Sequence, residues 1–119
     1  ALNDLAYILQ LKGRYAEAAL LAREAVEKGE GNAAAWDTLG VIAMKQKQVE
    51  TAQAALQKAL TLVPDNPHFI LHMAQLYDAK GMKSEALRLA DPLLARASEM
   101  EPDAYEELRE LMKKLRAGG

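Results

Sequence analysis

Two histidines are the side chains in this sequence whose type and spacing come nearest to a chemical site. His68 and His72 stand four residues apart. On a helix that spacing puts both imidazoles on one face, a geometry that can offer two nitrogens to a zinc-like metal. A third ligand would have to come from Asp37 or Asp78, and no H-E-x-x-H pattern is present. No metal site is therefore expected, and the pair reads as a recognition element whose charge responds to pH near neutrality. Nucleophiles are equally sparse. Ser84 and Ser98 are the only serines and there is no cysteine, so a thiolate metal site, a disulfide and a cysteine nucleophile are all excluded. No nucleophile elbow, phosphate loop or dinucleotide glycine pattern occurs, and Gly29-Glu30-Gly31 reads as a short turn. The many carboxylates fall on faces expected to be solvated, where burial does not tune them for proton transfer. Neither an enzyme nor a cofactor is expected.

The elements that carry these residues are helices. Among 119 residues there are 23 alanines and 19 leucines, against only ten Val, Ile and Thr combined. Strong helix formers dominate and β-branched material is too scarce for a sheet, so the fold class is all-α. Fifteen basic and 17 acidic residues leave a net charge of −2, with no field suited to gripping nucleic acid or an anionic membrane. No apolar run approaches the roughly 20 residues of a membrane span, and the chain does not open on a basic and then apolar leader. It reads as soluble, cytoplasmic or periplasmic. Starting at Ala1 inside an expected helix, it reads as a fragment or a processed form.

Three segments align at a constant offset of 34 residues. Gly13, Lys47 and Gly81 fall at equivalent turn positions, followed by Ala18, Ala52 and Ala86. Leu5, Leu39 and Met73 match as core positions, as do Ala25, Ala59 and Leu93. A period of this size marks helix hairpins stacked into a solenoid, with alanine at the crossings so that paired helices approach closely. The middle copy reads Trp36-x-x-Leu39-Gly40, then Ala43, Ala52, Leu56, Ala59 and Pro64-Asp65-Asn66. It resembles the tetratricopeptide repeat, departing at Lys47, where that family prefers Gly, and at Ala43 and Leu56, where it prefers aromatics. The first copy keeps Gly13-Arg14-Tyr15-x-Glu17-Ala18 and the third keeps Tyr77, Gly81 and Glu85-Ala86.

The resemblance implies a single domain over 1–119 with a right-handed superhelix of about seven helices. Its parts are repeat 1 at 1–32, truncated at its N-terminal side, repeat 2 at 33–66, repeat 3 at 67–101 and a capping helix at 102–116. The spacing predicts helices near 2–12, 15–28, 33–46, 49–62, 67–80, 83–98 and 102–116. Pro67 suits a first helical turn, and Pro92 should kink the sixth helix near Arg88–Asp91. In the last helix Asp103 and Glu106 read as a capping box, and Tyr105, Leu108, Leu111, Met112 and Leu115 form one apolar stripe. That stripe reads as a lid over the last hairpin. Trp36 is expected to pack as core between hairpins.

In the family that the sequence resembles, the first helix of each hairpin lines a concave groove. The resemblance places Asn3, Asp4, Tyr7, Gln10 and Leu11 there from the first repeat. Asp37, Thr38, Val41 and Met44 come from the second, and His68, Leu71, His72 and Gln75 from the third. Such a lining should accept an extended or helical segment of a partner protein, with binding energy concentrated in Tyr7, Val41 and Leu71 and specificity in Asp37 and His72. The positions that clamp a terminal carboxylate in chaperone-binding members hold Asn3, Tyr7, Thr38, His68 and His72 here, none of them the required residue. An Hsp70 or Hsp90 tail is thus not the expected ligand. The phrasing around Leu2–Tyr7 and Trp36–Gly40 resembles the C-terminal repeats of large bacterial tetratricopeptide proteins, which often serve envelope assembly or export. The alternative is a self-associating module whose groove or open N-terminal end is occupied by a missing repeat or by another protomer.

Overall fold

Seven α-helices follow one another in the computed structural model, which describes residues 1–117. They are α1 (Leu2–Leu11), α2 (Tyr15–Lys28), α3 (Ala33–Lys45), α4 (Val49–Leu62), α5 (Pro67–Ala79), α6 (Lys83–Ala90) and α7 (Pro102–Ala117), with a 3₁₀ helix at Asp91–Glu99 between the last two. No strand occurs among the described residues. The chain divides into two compact units, residues 1–64 and from Asp65 on.

The turn inside each hairpin is the same structure made three times. Gly13 and Gly81 have φ of +79° and +75°, and Lys47 follows them at +63°. In each turn the next amide reaches back across the helix end: Arg14 N–H donates to the Leu9 carbonyl at 2.9 Å, Gln48 to Ala43 at 2.9 Å and Met82 to Tyr77 at 2.8 Å. This is a Schellman-type closure, which requires a left-handed residue just past the helix end. A side chain in that region is strained by roughly 1–2 kcal/mol. Lys47→Gly should accordingly raise stability by about 1 kcal/mol, whereas Gly13→Ala and Gly81→Ala should each lower it by about as much. An added Cβ meets nothing within 4 Å at Gly13 or Gly81, so the effect is conformational. Urea unfolding midpoints of the three variants test this.

Within the first unit, α3 and α4 cross at Gly40. A Cβ on that glycine would lie 2.6 Å from both Cγ and Cδ2 of Leu56, so the missing side chain is what admits the fully buried leucine. Ala18 on α2 and Ala52 on α4 are fully buried at their crossings. Trp36 is half-buried against the core of this unit, and its Nε1–H donates to the Glu30 carbonyl at 2.8 Å. That bond holds the turn at Gly29-Glu30-Gly31, and Asn32 then caps α3 by accepting from the Ala35 N–H.

The second unit opens on Asn66, whose Oδ1 accepts from the amides of His68 and Phe69, with Pro67 at the first helical position. Its sixth helix departs from the expected kinked α-helix over 83–98. The α-helical run stops at Ala90, and Asp91–Glu99 tightens into the 3₁₀ form. The cause is Pro92, which has no amide to donate and whose ring crowds the carbonyl four residues earlier. Arg96 leaves helical geometry (φ −116°, ψ +29°) and anchors the segment. Its guanidinium donates to Asp65 Oδ1 and the Asp65 carbonyl at 3.1 and 2.9 Å, and to both carboxylate oxygens of Glu99. The Arg96 hydrogen bonds hold the Glu99 carboxyl below its ordinary 4.5; desolvation opposes them and the Arg96 charge assists.

The last helix starts at Pro102, as the spacing predicts, but its first turn is built differently from expectation: the Glu101 carbonyl accepts from Tyr105 N–H at 3.0 Å. Asp103 therefore lies inside the first turn, where its charge suits the helix dipole, and does not form a capping box with Glu106. The apolar stripe does what its pattern implies: Leu108, Leu111, Met112 and Leu115 are buried in one core with Leu71, Ala74, Ala86, Ala90, Leu93 and Met100.

Candidate partner-binding site

The candidate groove residues have separate fates in the two units. In the first, α1 and α3 pack side by side. On α1, Tyr7 is 52% exposed and Leu11 65% exposed, one helical turn apart and therefore on one face. Asn3, one turn before Tyr7, is half-buried, and its Oδ1 is enclosed without accepting a hydrogen bond. Gln10 is buried. On α3, Val41 and Met44 are half-buried.

Asp37 and Thr38, expected in the groove, lie deeper than Tyr7 and Leu11. They are only 9% and 7% exposed, because α3 is flanked by α1, α2 and α4 within its own unit and leaves little of its circumference open.

In the second unit the candidates on α5 are engaged by the chain itself. His68 Nε2 accepts the Glu101 N–H at 3.1 Å, Gln75 Nε2 donates to Glu107 at 3.0 Å, and Asp78 pairs with Lys114 at 2.8 Å. These contacts run along α5 in step with α7 and the residue before it. Leu71, expected as an apolar anchor for a partner, is fully buried in the core that α7 closes. His72 is half-buried on the same helix. Among the described residues, no three His, Asp or Glu side chains converge as a metal site.

A second apolar surface lies on the other side of the first hairpin, at the N-terminal end of the stack. Leu5, matched with Leu39 and Met73 as core, is 47% exposed although both equivalents are buried. Ile8 and Leu20 are 47% and 67% exposed. Leu5 and Leu39, identical residues at equivalent positions, are open and buried according to what packs on them.

Helix hairpins that share one turn at 34-residue spacing define a helical-repeat protein. Residues 43–115 match the family model of the tetratricopeptide repeat, and the chain belongs to that family. A relative by sequence is the peroxisomal targeting signal receptor of the yeast Yarrowia lipolytica, 28% identical over 88 residues. Those residues are 74% of this chain, which spans only 15% of the receptor's length. Among solved structures, the type III secretion translocator chaperone SycD of Yersinia enterocolitica superposes with a TM-score of 0.80 at 19% identity, covering 98% of this chain and 79% of that one. SycD in complex with a peptide of the translocator YopD gives 0.77 at 20% identity, covering 98% and 91%. These likenesses establish a shared fold. No helix among the described residues is long and apolar enough to cross a membrane.

Proposed function

We propose that this chain is a non-catalytic interaction module, holding an extended or helical peptide segment of a partner protein along α1 and α3. The observation that carries this reading is the pair Tyr7 and Leu11, a large aromatic and a large aliphatic side chain one turn apart, both more than half exposed. Exposed apolar side chains grouped on one face are what a partner covers, and tyrosine is a common anchor. Val41 and Met44 supply the floor from α3, methionine adapting its shape to what lies on it. The SycD complex with a YopD peptide supports a peptide as the kind of ligand this fold takes. The resemblance to bacterial repeats supports envelope or export assembly as the setting. A carboxylate-clamp tail is a poor candidate, since Asp4 is exposed on the helix that carries Tyr7.

The test compares wild-type bait with a Tyr7→Glu, Val41→Glu variant in a quantitative pull-down from native extract, circular dichroism having shown equal helicity. Capture by wild type alone supports the groove, and Tyr7→Ala should then weaken the purified complex by roughly 10-fold. Equal capture by both baits overturns it.

A further inference from the structure

The seven basic and seven acidic residues of the first unit are not evenly mixed. Lys12, Arg14, Lys45 and Lys47 stand at its two hairpin turns, where the acids are Glu17 and Glu50. Glu24, Glu27 and Glu30 gather at the opposite edge, where α2 leads into α3, and the cation there is Lys28. Stacked hairpins bring equivalent turns to one edge, and helices packed side by side lie roughly 8–10 Å apart. The two lysine-bearing turns therefore adjoin. A further hairpin in such a stack adds its own turn alongside and leaves this edge open.

Three cations of this edge have no counter-charge. Arg14 is held by Glu17 at 2.6 Å, but Lys12, Lys45 and Lys47 are exposed and pair with no carboxylate among the described residues. Lys12 and Lys45 have a local use at the ends of α1 and α3, where a cation suits the helix dipole. Lys47 has none that Lys45 does not already serve. Its φ is +63° where the other two turns have glycine, and glycine would make the same turn without strain. A strained residue that the fold does not need points to a use outside the fold. Lys45 joins this edge to the groove, since it lies one helical turn beyond Val41 on the same face of α3. Asp4, exposed near the other end of α1, stands about 12 Å before Lys12 at 1.5 Å per residue. The groove is thus electrically directional, acidic at one end and basic at the other. Three lysines on a unit with no net charge match a short run of carboxylates, because a long polyanion would also cross the acidic edge.

We propose that Lys12, Lys45 and Lys47 bind a short acidic stretch of the partner segment, which lies in the groove with its acidic flank over the hairpin turns. This rests on the groove reading and adds the ligand's charge and orientation to it. Panning a phage library of random peptides on the full chain tests it. Selected peptides should carry Asp or Glu flanking an apolar stretch. A fluorescently labelled selected peptide should then lose affinity by roughly 3-fold for each of Lys12→Gln, Lys45→Gln and Lys47→Gly, and roughly 20-fold for the three together. Roughly tenfold more NaCl should weaken binding to wild type and barely change binding to the triple variant. Lys47→Gly relieves the strained turn, so weaker binding by that variant cannot be traced to a loss of fold. Lys58→Gln, which removes an exposed lysine of α4 away from the turns, should leave affinity unchanged. Selected peptides without acidic enrichment, or affinity indifferent to the three lysines, overturn the proposal. Acidic peptides that need the lysines but are indifferent to Tyr7→Ala overturn the groove reading and leave the lysine contact standing. Lysine-dependent binding of duplex DNA or phosphatidylserine vesicles, with no peptide selected, overturns both.

Discussion

Gly40→Val is expected to destabilise the chain by about 3 kcal/mol, at the upper end of what overpacking a close contact costs. Glycine inside a helix is itself unfavourable by up to about 1 kcal/mol relative to alanine, so its presence in α3 needs a compensating gain. That gain is Leu56, fully buried, whose Cγ and Cδ2 occupy the space a Cβ would need at 2.6 Å. Retreat is limited because the Leu56 backbone nitrogen would also stand 3.3 Å from the new atom, so α4 itself must move. Gly40→Ala should lose less, about 1 kcal/mol, its better helix propensity offsetting part of the clash. The decisive measurement is a double-mutant cycle. Leu56→Ala alone should cost about 3 kcal/mol by leaving a cavity, but in the Gly40→Ala background it should cost distinctly less, because the alanine methyl fills part of the space vacated. Additive losses would show that the two residues do not share that space.

Leu71→Ala is expected to lower stability by about 3 kcal/mol, and to do so by loosening α7. Leu71 is buried with Leu108, Leu111, Met112 and Leu115 of that helix and with Ala86, Ala90 and Leu93 beneath it. Two polar ties between α5 and α7, Gln75–Glu107 and Asp78–Lys114, are surface contacts of small individual worth. Amide exchange should therefore speed up first in Leu108–Leu115, with α1 and α2 little affected. Tyr7→Ala, half-exposed in the first unit, should change stability by only about 0.5 kcal/mol. The contrast separates an interior residue from a contact residue, although both stood as groove anchors by family position. Equal unfolding midpoints for Leu71→Ala and wild type would contradict the burial on which this rests.

Much of the fold was legible because its determinants are local. The left-handed turns at Gly13, Lys47 and Gly81 follow from a 34-residue register and from backbone sterics. Asn66-Pro67 starts α5 because a side-chain acceptor and a fixed φ serve the first turn wherever they occur. Pro92 ends an α-helix through its missing amide, and only the form of the next segment, a 3₁₀ helix held by Arg96 to Asp65, depended on a residue 31 positions away. The candidate site was less legible. Asp37, Thr38 and Leu71 occupy groove positions by register, yet α3 is enclosed by its neighbours and α5 is covered by α7.

What the sequence by itself determined is therefore the set of helices, the turns between them and membership in a repeat family, since periodicity, capping and φ preferences act over a few residues. Which apolar positions are interior and which are surface was decided by tertiary structure. Leu5, Leu39 and Met73 carry the same signal at the same register, and only Leu5 is open. Burial belongs to a pair of surfaces, and a residue's own type cannot specify the surface that comes to lie against it.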